Sequence, residues 1–252
     1  NYLLLGSLDI YDEMSVEVGI SLRILNTRTM ELVKATSVAA AGEEFTGLFD
    51  IGRVTEISEV AERVLDRAFE ELGQPLLAPQ KLPAEDAPRI AMVPFENLSE
   101  MPQANGIMSN IILSNLLANG YVCLEPGFVN EVFLLRRTMA RGQIDLGTLR
   151  FLHDTFAIDY TVTGVVDLMQ PARGDLTEAT PSLTFGARLL EADSGTLCTA
   201  WEIHSDGADG ESFLGIGRIH ALGQLADDAA SDLMVLLADE LDETPEDWDL
   251  GE

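Results

Sequence analysis

The sequence predicts an α+β protein, of mixed α/β order: a mixed sheet flanked by helices, arranged as a tandem repeat whose first copy is present only as its C-terminal half. Three observations predict it. The chain matches itself at a long offset, apolar runs of strand length alternate with helical spacings, and an amphipathic helix closes each matching stretch. With 252 residues, 46% of them hydrophobic and 23% charged, the chain has the composition of a folded globular protein.

The self-match carries most weight. The run NYLLLGSLDI at 1–10 aligns with DYTVTGVVDL at 159–168, setting Tyr2 against Tyr160, Gly6 against Gly164 and Asp9 against Asp167. An insertion at 169–183 then changes the register. Beyond it Arg23 meets Arg188, Leu25 meets Leu190, Leu32 meets Leu197, Gly42 meets Gly207, Gly52 meets Gly217 and Ala61 meets Ala226. The first copy starts where the second is already halfway through. The expectation is therefore the end of a longer protein, with any leader or lipid-attachment cysteine upstream of Asn1. The predicted division is 1–73 for the C-terminal half of a first domain, 74–87 for a Pro-rich linker, 88–240 for a complete domain and 241–252 for an acidic tail.

In chain order, 1–10 reads as a strand, and Ile57, Val60, Ala61, Val64, Ala68 and Leu72 make a helical stripe. Pro75, Pro79, Pro83 and Pro88 mark a semi-extended linker. The nearly continuous apolar run 89–95 suits a strand buried on both faces, followed by a polar loop through 102. A helix over 106–118 presents Ile107, Ile111, Ile112 and Leu116 on one face and closes at Gly120, before a short strand at 121–124. Strand, helix and strand in that order imply a parallel crossover. Helices follow over 129–139 and 146–156, then a strand over 158–168 and a hairpin of 182–190 and 196–203 joined through 193–195. The last helix carries Leu222, Leu225, Ala226, Ala229, Leu233 and Leu236, and each closing helix is expected to pack on its own sheet.

Charge and motifs exclude several functions. Lys and Arg number 15 against 43 Asp and Glu, a net charge of −28, so the field repels phosphate backbones and anionic headgroups, and nucleic acid is not an expected partner. No run reaches the roughly 18 apolar residues of a spanning helix. Cys123 and Cys198 have no ligand-spaced companions, so no metal is expected; they read as free thiols, with one disulfide as the alternative. His153, His204 and His220 show no triad spacing. The glycines at 215–217 and at 52 match no nucleotide fingerprint and read as turns. No catalytic residue and no cofactor are expected.

Two features point to partners. Arg136, Arg137, Arg141 and Arg150 gather four of the 15 basic residues in one helical region. They form either a solvated face balancing Glu131, Asp145 and Asp154 or a contact for an acidic neighbouring subunit. The tail is acidic and without a stripe, although Trp248 and Leu250 suit a partner groove.

The runs IAMVPFEN at 90–97, GQID at 142–145, IDYTVTG at 158–164 and ARLLEADSG at 187–195 resemble the TolB amino-terminal-like, or CsgG-like, superfamily. That group includes the curli secretion component, lipoproteins that activate peptidoglycan synthases and accessory proteins of the flagellar outer-membrane ring. The resemblance implies a bacterial periplasmic or outer-membrane-associated protein that works by binding, as a homo-oligomer or as part of an envelope machine, without enzymatic residues. The polar insertion lacks the alternating strands of a membrane hairpin. The expected function is thus a non-enzymatic assembly or scaffold protein, and the alternative is a small-molecule or signal-sensing module.

Overall fold

The computed structural model describes residues 1–45, 52–73, 87–138, 144–172, 180–212 and 217–242. Strands β1 (Tyr2–Asp12), β2 (Glu17–Asn26) and β3 (Leu32–Ala41) form an antiparallel sheet, and helix α1 (Ile57–Gly73) lies on it. A second sheet holds β4 (Arg89–Met92), β5 (Glu96–Asn97), β6 (Val122–Cys123), β7 (Tyr160–Gln170), β8 (Ser182–Glu191) and β9 (Leu197–Asp206). Its strand order is β6-β4-β7-β8-β9, with β5 extending the parallel pairing to β7. The helices of this part are α2 (Ala104–Ala118), α3 (Pro126–Arg136), α4 (Leu146–Phe156) and α5 (Leu222–Asp242). The fold is mixed α+β.

Local chemistry explains the boundaries. Pro126 opens α3 in the first turn, where its missing N–H costs nothing, and the Glu125 carboxylate accepts the Phe128 N–H at 3.0 Å. That cap starts α3 three residues before the expected 129, and Arg137, in left-handed conformation, ends it two residues before the expected 139. Asp145 caps α4 by accepting the Thr148 N–H and hydroxyl at 3.0 and 2.6 Å, which holds its carboxyl below the usual range. Helix α5 runs on to Asp242, past the expected boundary at 240.

The two segments β1-β2-β3-α1 and β7-β8-β9-α5 have the same element order and the same pairing register. Gly6 faces Leu22 as Gly164 faces Ala187, and Arg23 faces Ala35 as Arg188 faces Ala200. The β1/β2 bulge between Leu8 and Ile10 recurs between Val166 and Leu168, and the bulge after Ile24 recurs after Leu189. A bulge fixes register and side-chain facing together, so each position on one sheet has a definite counterpart on the other. The loops before the closing helices also correspond. The Gly42 carbonyl accepts the Val54 N–H at 3.1 Å and the Gly207 carbonyl accepts the Ile219 N–H at 2.8 Å, while Gly52 and Gly217 both take positive φ, 98° and 91°.

Each closing helix packs on its own sheet, as expected, and α5 packs on the first sheet as well. Helix α1 packs on one face of the first sheet through Val60, Val64 and Ala68 against Val18, Leu22 and Val38. The opposite face of that sheet, with Ile10, Leu25, Leu32 and Ala35, packs on α2 and α5, and those same helices cover the inner face of the second sheet. Helices α3 and α4 cover the far side of β4. The order is α1, first sheet, α2 with α5, second sheet, α3 with α4. Helix α2 has apolar residues almost all round, with Met108 and Leu113 as buried as Ile107 and Ile112, because it is covered from both sides.

Candidate docking surfaces

The polar groups drawn together most tightly lie between the first sheet and the shared helices. Asp9 accepts from Ser7 at 2.8 Å, from Asn110 of α2 at 2.9 Å and from Ser21, while Arg23 donates to Asn110 at 3.2 Å and lies 3.8 Å from the Glu125 carboxylate. Burial raises the Asp9 carboxyl above its ordinary value, against the pull of Ser21, Ser7 and Asn110. At the other end Glu17, fully buried, accepts the Gly223 N–H at 3.0 Å at the start of α5. Burial lifts Glu17 to about 7, and it lifts the neighbouring Glu44 to about 7 as well. The bonds these residues do make run to one another, to α2 and to the start of α5, although Glu17 Oε2, Arg23 Nε and Glu44 Oε1 are buried without a partner among the described residues; the group makes a joint between two sheets.

A pH effect follows from the joint. Glu17 and Glu44 bind protons more tightly folded than unfolded, so their contribution is complete below about 4.5, the ordinary value, and is lost as pH rises through about 7. The melting temperature should fall between about pH 5 and about pH 8. Glu17→Gln keeps an acceptor for Gly223 without a charge and should flatten that slope, with a gain of about 2 kcal/mol at the upper pH. Thermal denaturation of both proteins across the range checks it, and an unchanged slope in the variant would contradict it.

Histidines and cysteines are placed apart. His153 meets the Ile158 carbonyl at 2.9 Å, His204 meets the Thr184 hydroxyl at 2.8 Å, and His220 lies 3.0 Å from Glu43. Cys123 is buried, which drives its thiol pKa upward, and Cys198 is a separate free thiol. Among the described residues no group of three or more His, Cys, Asp or Glu is placed to hold a metal.

Of the arginines singled out in the sequence, Arg136 donates to the Thr148 hydroxyl at 3.0 Å and stacks over Phe151 at 5.5 Å. Arg150 donates to the Asp193 carbonyl at 3.1 Å, and Arg137 sits exposed at the end of α3. The structure thus brings α3 and α4 together but commits two of these side chains to internal bonds. Arg141, Trp248 and Leu250 lie outside the described residues. Sequence reading passed over Leu134 and Leu135, 77% and 75% exposed beside Arg136. Their place in an apolar helical run concealed them, since α3 buries only Val129, Val132 and Phe133.

A further exposed apolar surface lies on β1 and α1. Leu4, Leu8 and Tyr11 are 50%, 58% and 54% exposed, whereas Val162, Val166 and Met169 at the counterpart positions of β7 are at most 2% exposed. On α1, Leu65 and Phe69 are exposed, whereas Ala230 and Met234 on the corresponding stripe of α5 are buried. Tyr2, Leu3, Leu4, Ile24, Phe69 and Leu72 line a groove of about 390 Å³ there. Its lining has no charged group to orient a polar ligand, so it suits apolar side chains.

No family model matches the chain, and no curated protein matches it. Solved structures with partial likeness include the PelC dodecamer from Paraburkholderia phytofirmans, 14% identical over 60% of this chain and 89% of that one, TM-score 0.39. Lipoprotein GNA1162 from Neisseria meningitidis is 18% identical over 60% of this chain and 99% of that one, TM-score 0.42. The LpoB C-terminal domain from Salmonella enterica is 9% identical over 56% and 96%, TM-score 0.35. Among the described residues no helix is long and apolar enough to cross a membrane.

Proposed function

We propose that this chain is a non-enzymatic assembly or scaffold protein of the bacterial cell envelope, acting through self-association or docking to a larger machine. Residues 1–73 and 88–240 are two units of one kind, joined by a linker at 74–87. The observation that carries the docking role is the unequal covering of equivalent surface. Leu4, Leu8, Tyr11, Leu65 and Phe69 are open where Val162, Val166, Met169, Ala230 and Met234 are closed. Apolar side chains grouped on one flank of a folded domain mark a contact surface. The envelope location rests on the resemblance of the 90–97, 142–145, 158–164 and 187–195 runs.

The test is fractionation of the native bacterium with antibody detection, together with affinity capture of the full-length protein. Envelope recovery with a stoichiometric protein partner or with further copies of itself supports the reading. A protein recovered only from the cytoplasm, monomeric and without partner, overturns it.

A further inference from the structure

Within the chain, the first sheet is joined to the helices of the second unit through one of its faces. The sheet side is the face of β1-β2-β3 carrying Asp9, Arg23, Leu25, Leu32 and Ala35, and the helical side is α2 with the α5 stripe headed by Gly223. The same sheet face is built a second time; there Thr161 and Thr163 of β7 are buried, but the face is open over β8 and β9 at Arg188, Leu197 and Ala200. On β7-β8-β9 the counterpart positions hold Asp167, Arg188, Leu190, Leu197 and Ala200, all five identical to the residues on the first sheet.

Exposure separates the two faces. Leu32 is 5% exposed and Leu197 is 52%; Ala35 is buried and Ala200 exposed. Arg23 is held by Asn110 and approaches Glu125, whereas Arg188 is exposed and makes no ion pair among the described residues. The helical side recurs too. The α5 face that meets the first sheet at Gly223 continues at helical spacing through Asp227, Ala230 and Met234, and its counterpart on α1 is Ser58, Glu62, Leu65 and Phe69, all exposed. The molecule thus carries one joined pair of faces and one unjoined pair of the same two kinds, at opposite ends of the layer order.

We infer that the open face of β8 and β9 docks on the exposed α1 stripe of a second copy of this chain, repeating between molecules the contact that joins the two sheets within one. This rests on the self-association reading above and names its surfaces. Two features favour a second copy over an unrelated partner. The sheet face repeats one already engaged with a helix of this kind, and Arg188 would face the carboxylates of Glu62 and Asp66, as Arg23 approaches Glu125. The contact is head-to-tail, because the two surfaces differ, so it propagates into a ring or a filament and does not stop at a dimer.

The test uses two variants at exposed positions, Arg188→Glu with Ala200→Glu on the sheet, and Leu65→Glu with Phe69→Glu on the helix. Wild type should show mass rising with concentration, and each variant alone should stay at the monomer mass of 27.4 kDa with an unchanged circular dichroism melt. An equimolar mixture of the two variants should form dimers and nothing larger, since each retains the face the other lacks. Association that persists in both variants overturns the inference and leaves the envelope reading standing, as does a mixture that remains monomeric. A wild type monomeric at every concentration also overturns it, and fractionation then judges the envelope reading separately.

Discussion

Replacing Gly164 by alanine should destabilise the protein by about 3 kcal/mol or more and lower its melting temperature by roughly 10 °C, whereas Gly6→Ala should change stability by about 0.5 kcal/mol or less. The two glycines occupy the same place in the two segments, at the same register with the neighbouring strand. A methyl group on Gly164 would stand inside van der Waals contact with the Gly186 carbonyl and 2.6 Å from the Phe95 ring, both of which are hemmed in by core. On Gly6 it would meet only the end of the Leu22 side chain at 3.1 Å, with the Ser21 carbonyl 3.9 Å away. Leu22 can turn aside; a strand backbone and a fully buried aromatic ring cannot. Paired thermal melts of the two variants check the contrast, and equal losses would contradict the account of how differently the two segments are covered.

The second large effect is expected at the joint. Gly223→Val should cost about 2 to 3 kcal/mol, because a side chain there collides with the Ala39 methyl and pushes α5 off the first sheet. The displacement also pulls the Gly223 N–H from Glu17, leaving a fully buried carboxyl without its donor. Hydrogen exchange should then quicken in β1, β2 and β3 more than in β7 and β8, whose inner face keeps its contacts with α2 and α5. Ser58→Val, at the counterpart position on the exposed side of α1, should leave stability within about 0.5 kcal/mol of wild type. Uniform loss of protection across both sheets, or a Ser58 variant as damaged as the Gly223 variant, would contradict a joint built at Gly223.

Most of the element order was legible in the sequence because it depends on local periodicity. The spacing of Ile57, Val60, Val64 and Ala68 gave α1, and the hairpin of β8 and β9 followed from alternation around Ser194 and Gly195. Strand β5 was not legible, since Glu96 and Asn97 are polar and become strand only by pairing with Val165 and Val166. The start of α3 was hidden although Glu125 and Pro126 announce it; the apolar spacing further on drew the boundary toward 129. The exposed apolar residues were concealed for a different reason. Leu65, Phe69, Leu134 and Leu135 look like core in any one-dimensional reading, and only the positions of neighbouring layers decide that they are not. One signal did exist: Met108 and Leu113 make α2 apolar beyond a single stripe, which marks a helix covered on two sides.

The joint also accounts for residues that a catalytic reading would single out. Glu17 and Glu44 have the raised pKa values often found in active sites, but Glu17 is directed at the backbone of Leu222 and Gly223 at the start of α5, and Glu44 at the backbone of Ala41 and Ala221. Asp9 is enclosed by Ser7, Ser21 and Asn110. Perturbed ionisation here follows from burying polar groups between two sheets.

The central claim, that this protein acts by docking copies of one kind of unit against another, is tested most directly by sedimentation equilibrium of the wild-type chain over a wide concentration range. The account predicts a weight-average mass that climbs from 27.4 kDa through successive multiples of it. A mass fixed at 27.4 kDa at every concentration would contradict it.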